Sequence, residues 1–157
     1  MSYPNWLPEL FSVNPWKDTT YEELYALFRK DFIESQPVYE GQPVWIFPEM
    51  ENGKEKIFWH LTTREDKRTK ERFPDLRRSE RLPWVRAILD EPDHTELLIW
   101  DYVEGDGDIN TYVWLKDYDF VILLKKYPNG SRRLLTSYWL DYKNAKDKLQ
   151  KKYEQRI

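Results

Sequence analysis

His60, Thr62, Thr63 and Arg64 lie within five residues of one another, and Arg77, Arg78 and Arg81 follow within the next seventeen. Together these residue types suit chemistry on a phosphate ester. Histidine, with an ordinary pKa of about 6.5, takes up and releases protons near neutrality. Arginine stays charged and presents a planar fork of donors matched to phosphate oxygens. Cleavage of RNA without a metal needs a base for the 2′-hydroxyl proton, an acid for the departing 5′-oxygen, and donors for the phosphorane between them. His60 is read as that acid or base, with Arg78 and Arg81 on the scissile phosphate. Arg64, Arg77 and Thr62 are read as further phosphate and RNA contacts. Thr136-Ser137-Tyr138, far downstream, adds hydroxyls. Alternation along a strand puts Thr136 and Tyr138 on one face and Ser137 on the other, and the Thr136/Tyr138 face is taken as the site-facing one. A β-prone threonine and a core tyrosine would give the same pattern. His94, in the turn Asp90-Glu91-Pro92-Asp93-His94, is read as structural.

The chain has 157 residues, 34% of them charged and 17% aromatic, with eight Trp and no Cys. That length supports one domain with a substantial core. So many aromatics exclude a disordered chain, and so many charges exclude a membrane-embedded one. Without Cys there is no disulfide framework and no thiolate nucleophile, which fits a cytoplasmic location. With two His and no HxxxH spacing, neither a metal site nor any other cofactor is expected. The first residues carry no basic start and no apolar run, so no signal peptide is expected, and no segment has the roughly twenty apolar residues of a membrane span.

Net charge is −3, unevenly spread. Residues 1–59 carry −5, residues 60–86 carry +4, and residues 87–157 carry −2. The basic island coincides with the His/Arg constellation and suits an anion. The interspersed Glu65, Asp66, Glu71, Asp75 and Glu80 are equally able to neutralise it through surface pairs.

The elements that must position these groups follow from periodicity. Residues 1–18, rich in Pro and Trp, read as an irregular arm. Two overlapping capping boxes, Thr19 with Glu22 and Thr20 with Glu23, open a helix to about Ser35 whose apolar face is Tyr21, Leu24, Tyr25, Phe28 and Phe32. Val44–Phe47 and Lys56–Leu61, separated by the Asn52-Gly53 turn signal, read as a small hairpin that places His60 at a strand end. Thr62–Phe73 is nearly all polar and reads as a loop or exposed helix. Pro83 opens a helix that buries Trp84, Val85, Ile88 and Leu89. Four β-prone runs, Thr95–Val103, Asn110–Leu115, Phe120–Tyr127 and Arg132–Leu140, are joined by short turns and predict a four-stranded antiparallel meander. The run Phe120–Leu124 is expected at its centre, covered on both faces. A basic helix over about Tyr142–Glu154 closes the chain, largely facing solvent. The fold class is α+β: N-terminal helices, then the sheet, then a C-terminal helix.

The order of "FWHLTTRE", "RRSERLPWVRAIL" and strands ending in "LLTSYWL" resembles the phage-associated branch of the Barnase–EndoU–colicin–RelE-like (BECR-fold) nuclease superfamily over about residues 44–140. The resemblance implies a helical part followed by a four-stranded antiparallel sheet. It implies that His60 is the active-site histidine, that Arg78 or Arg81 binds phosphate, and that Thr136 and Tyr138 are the late-strand hydroxyls. It further implies a toxin or mobile-element endoribonuclease acting on tRNA or mRNA, with a cognate inhibitor protein as a partner. Two other readings fit the composition. In one, basic residues hold the backbone and aromatics stack bases in a non-catalytic RNA-binding module. In the other, the aromatic excess is an interface for a host protein.

Overall fold

The computed structural model describes residues 3–141 and 143–157; Met1 and Ser2 of the arm and Tyr142 at the start of the last helix lie outside the described residues. Residues 3–19 cross the body as an irregular arm. Its Leu7 and Val13 are buried, and the Trp84 indole N–H donates to the Pro8 carbonyl (2.9 Å). Helix α1 (Thr20–Phe32) buries Leu24, Phe28 and Phe32, the face its three-and-four spacing predicts. Neither expected capping box forms. Thr19 already has helical backbone angles, which turn its hydroxyl away from the orphan amides, and that hydroxyl donates to Glu23 (2.9 Å). The Thr20 hydroxyl instead accepts from the Lys17 N–H (2.9 Å).

Strands β1 (Val38–Tyr39) and β2 (Gln42–Trp45) pair antiparallel about Glu40-Gly41, both at positive φ, a turn whose twist matches a tight hairpin. A second miniature hairpin, β3 (Met50–Glu51) and β4 (Lys54–Glu55), turns at Asn52-Gly53 in the same way. The chain then forms helix α2 (Lys56–Thr62), not the expected strand. A short apolar run fits either period, and here Ile57, Phe58 and Leu61 supply a helical face that the core selects. The expected pairing of Val44–Phe47 with Lys56–Leu61 is therefore replaced. The polar stretch after α2 is neither loop nor helix throughout, since β5 (Thr63–Glu65) and β6 (Arg72–Pro74) close it as a hairpin. Helix α3 (Leu76–Glu80) comes next, N-capped by Asp75, whose carboxylate accepts from the Arg78 N–H (3.0 Å). Helix α4 (Leu82–Leu89), with Pro83 in its first turn, buries the predicted Trp84, Val85, Ile88 and Leu89.

Strands β7 (Leu97–Val103), β8 (Ile109–Leu115), β9 (Phe120–Lys126) and β10 (Arg132–Trp139) lie antiparallel to their neighbours, with a 3-10 turn (Lys116–Tyr118) between β8 and β9. The sheet has six strands, not four, in the order β1-β2-β10-β9-β8-β7, because β2 adds parallel to β10 through Val44 and Trp45 opposite Arg132 and Arg133. Nothing in the local pattern of residues 38–45 marks that long-range parallel pairing. Along β9, Phe120, Ile122 and Leu124 face the main core with α1, α2 and α4. Val121 and Leu123 face a second cluster under helix α5 (Lys143–Glu154). That helix is not simply solvated: Leu149 is buried, and Ala145 and Tyr153 pack on Trp100 and its neighbours. The architecture is α+β, with helices on both faces of a mixed sheet.

Because β2 pairs with only two residues of β10, the rest of that strand packs against α2. The β10 register shifts between Leu134 and Thr136, leaving Leu135 as a bulged residue that re-aims the remainder of the strand. His60 and Thr136 meet at this junction.

Candidate active site at the end of helix α2

The last turn of α2 exposes carbonyls that no later residue of the helix can satisfy. Side chains and backbone from distant segments take them. Arg78 Nη1 donates to the carbonyls of His60 (3.0 Å) and Thr63 (3.1 Å). The Ser79 hydroxyl (2.7 Å) and the Asp75 N–H (3.0 Å) both reach the Thr62 carbonyl. The Thr136 hydroxyl donates to the His60 carbonyl (3.3 Å). Residues 60, 78 and 136 thus converge on a single oxygen, which holds the histidine backbone from two directions.

The His60 ring is free of those contacts; among the described residues no protein group hydrogen-bonds it. It opens onto a cleft of about 630 Å³ that also presents Lys56, Trp59, Thr63 and Arg72. Lys56 sits one helical turn before His60, on the same face. Arg72 reaches across from β6, with Nε donating to the Thr63 hydroxyl (2.7 Å) and Nη2 to the Thr63 carbonyl (3.2 Å). Trp59 is pinned by its indole N–H on the Glu51 carbonyl (2.7 Å) and by Tyr21 edge-on at 5.1 Å. Burial, with the positive charges of Arg72, Lys56 and Arg78 added, pushes the His60 pKa below its ordinary value. Glu51 opposes this only weakly, so the imidazole is neutral at neutral pH and suited to accept a proton. Three carboxylates, Glu51, Glu65 and Glu71, also line the cleft.

Burial pulls the Arg78 guanidinium below its ordinary range, and Asp75, whose carboxylate lies 3.4 Å from Nε, counters this. The charges of Arg72 and Arg64 also lower it. Tyr138, read from the sequence as a site hydroxyl beside Thr136, packs instead in the second core with Tyr112 and helix α5 and does not line the His60 cleft. Burial, followed by the charge of Glu104, pushes the Tyr138 phenol up to about 12, so it stays protonated and acts only as a hydroxyl.

The remaining sequence-predicted residues are scattered. Arg64 is exposed on β5, opposite Phe73. Thr62 is fully buried and donates its hydroxyl to the Phe58 carbonyl (2.9 Å), so it faces the core and not a phosphate. Arg81 is buried too, bonded to the Arg77 carbonyl (3.2 Å) and Glu80 (2.8 Å) and lying over Trp84 and Trp139. Arg77 is exposed, paired with Glu80 and stacked over Trp139 at 4.9 Å. Arg77 and Arg81 line a different concavity with Tyr3 and Tyr118. A five-residue helix turns successive arginines to different sides, and only Arg78 faces α2. Ser137 is fully buried on the other side of the strand from Thr136, as alternation predicts. His94 stacks on Trp6 at 4.0 Å, a structural contact.

Lys56 and Arg72 are the groups that sequence reasoning missed, while of the two hydroxyls it singled out after His60, Thr63 and not Thr62 lines the cleft. Reading residues 56–62 as helix would have put Lys56 beside His60 through the i, i+4 relation. Arg72 needed the β5–β6 pairing, which the polar composition of that hairpin hides. Comparison with protein-family models, curated proteins and solved structures finds no match to this chain.

Proposed function

We propose that this protein is a metal-independent endoribonuclease of a toxin or mobile-element kind, cleaving RNA by attack of a 2′-hydroxyl on the adjacent phosphate. One observation carries the reading: a neutral histidine, fixed through its carbonyl by Arg78 and Thr136, faces an open cleft that also holds Lys56 and Arg72. In this reading His60 is the general base. It takes the 2′-proton, the 2′-oxygen bonds to phosphorus, and the bond from phosphorus to the 5′-oxygen breaks. Lys56 and Arg72 bind the non-bridging oxygens as charge builds on them. Water in the open cleft protonates the departing 5′-oxygen. Arg78 and Thr136 position His60, and Arg64, exposed on the outer face of the β5–β6 hairpin, contacts the phosphate backbone beyond the cleft. The products are a 2′,3′-cyclic phosphate and a free 5′-hydroxyl.

On the outer face of the β5–β6 hairpin, opposite the cleft-lining Thr63, Glu65 and Arg72, Phe73 stays 45% exposed, and Leu76 at the start of α3 stays 47% exposed. These exposed apolar groups suit docking of a cognate inhibitor protein from outside the cleft.

The test is incubation of the protein with total RNA and a tRNA pool in EDTA, wild type beside His60→Ala. Cleavage by wild type alone, with cyclic phosphate ends, is the expected result. Equal cleavage by both proteins, or none by either, rejects it.

A further inference from the structure

On the far side of His60, a second concavity of about 160 Å³ runs between the imidazole and Phe47. Its walls are Ile57, Leu134 and Leu135, with Lys56, Glu49 and Arg133 at the polar edge. Beyond Phe47 the surface continues as a strip of rings and cations. Trp45 lies 5.6 Å from Phe47 and 5.3 Å from Tyr127. The Arg133 guanidinium sits over Phe47 at 3.9 Å and within 5.8 Å of Trp45, and Lys125 stands 5.4 Å from the Tyr127 ring. Phe47 is 47% exposed although the chain has ample core in which to bury it. The strip is assembled by the parallel pairing of β2 with β10, which places Trp45 directly opposite Arg133.

We propose that this strip is a binding track for single-stranded nucleic acid, with one unpaired base lodged between Phe47 and His60 and its neighbours stacking outward along Trp45 and Tyr127. Rings receive bases on their faces whatever the sequence, and interleaved cations neutralise the phosphates between them. The narrow concavity takes a single planar ring and no base pair, so duplex is rejected by shape. Two of the track's cations are paired, Lys56 with Glu49 (3.8 Å) and Lys125 with Asp108 (3.2 Å), whereas no acid pairs with Arg133, the cation over Phe47, among the described residues. The unpaired Arg133 charge, set among the rings of Phe47, Trp45 and Tyr127, favours a nucleic acid over a protein here. The inference rests on the ribonuclease reading only for the role of His60; the track binds strands whether or not they are cut.

The test separates the two. A fluorescein-labelled 12-nucleotide RNA with 2′-O-methyl groups throughout, which cannot be cut, is titrated by anisotropy as single strand and as duplex. Wild type, Phe47→Ala and Arg133→Gln are compared, with far- and near-UV circular dichroism as the check on folding. The expected result is preference for the single strand and a loss of tenfold or more for Phe47→Ala and Arg133→Gln. Turnover of a dinucleotide, too short to reach Trp45 and Tyr127, stays within twofold in Trp45→Ala, while KM for the cleavable 12-mer rises. Strand binding lost on Phe47→Ala without any cleavage by wild type sustains the track and removes the ribonuclease. Cleavage by wild type with single-strand affinity unchanged in both variants, or equal affinity for duplex, overturns the track and leaves the ribonuclease standing.

Discussion

The His60 imidazole is half-buried beside three cations, and its behaviour follows from that placement. Both burial and the charges of Arg72, Lys56 and Arg78 disfavour the imidazolium, so the folded-state pKa lies below 6.5. The acid limb of kcat/KM for RNA cleavage should therefore have its midpoint below 6.5, and Arg72→Gln, which removes one of those charges, should move it upward. A pH profile of initial rates for the two proteins checks both. The same shift links to stability. The unfolded chain binds the proton more readily than the folded one, so the stabilising contribution is complete above about pH 6.5 and is lost as pH falls toward the folded pKa. His60→Gln, which cannot charge, should flatten stability against pH across that window, as read from urea midpoints. In cleavage, removal of the base by His60→Ala should cost on the order of 10²–10⁴-fold. Arg81 shows what residue type alone cannot convey: a sequence-level phosphate ligand turns out to be buried between Trp84 and Trp139 with its charge on Glu80.

At the scale of elements, the junction of α2, α3 and β10 is a capping arrangement made from side chains distant in sequence. Arg78→Met removes a charged donor from the His60 and Thr63 carbonyls, leaving them only Thr136 and Arg72, and by the usual cost of unmade hydrogen bonds it should destabilise the protein by about 2 kcal/mol. Chemical denaturation measures this. Because the His60 backbone then loses one of its two anchors, cleavage should fall by more than the loss of folded protein explains, and Arg78→Lys should restore it only in part, a point charge being unable to span two carbonyls. The β7–β10 strands and α4 were legible because each carries its own period and turn chemistry. Helix α2 was not, since seven residues are too few to separate one period from another. The β5–β6 hairpin was hidden because both its strands are polar, with no core face to betray alternation.

Over the whole molecule, two cores on opposite faces of the sheet hold the fold together. The main one contains Trp84, fully buried against Phe120 and bonded to the N-terminal arm; Trp84→Ala should cost about 3–5 kcal/mol. The second is closed by α5, which is docked through a polar clasp as well as through Leu149. Glu104 accepts from Asn110 (2.8 Å), Lys152 (3.0 Å) and the Tyr112 hydroxyl. Burial alone would raise the Glu104 carboxyl, but these three hydrogen bonds outweigh it and hold the pKa below its ordinary 4.5. Such a group stabilises the fold above its unfolded pKa and ceases to do so as pH falls through the lowered one. Glu104→Gln should therefore be less stable than wild type at pH 7, and the gap should close below about pH 4; thermal melts at several pH values track it.

Local information sufficed for α1, α4, the four long strands and their turns, and the α+β class, because capping, hydrophobic period and turn residues act over a few neighbouring positions. It also marked His60, Arg78 and Thr136 as chemically apt. Long-range packing alone joined β2 to β10, made residues 56–62 a helix, and turned Arg77 and Arg81 away from His60. Those outcomes depend on which surfaces find one another across 18 to 90 residues of chain, a matter of burying apolar area and satisfying carbonyls together that no short window of sequence contains.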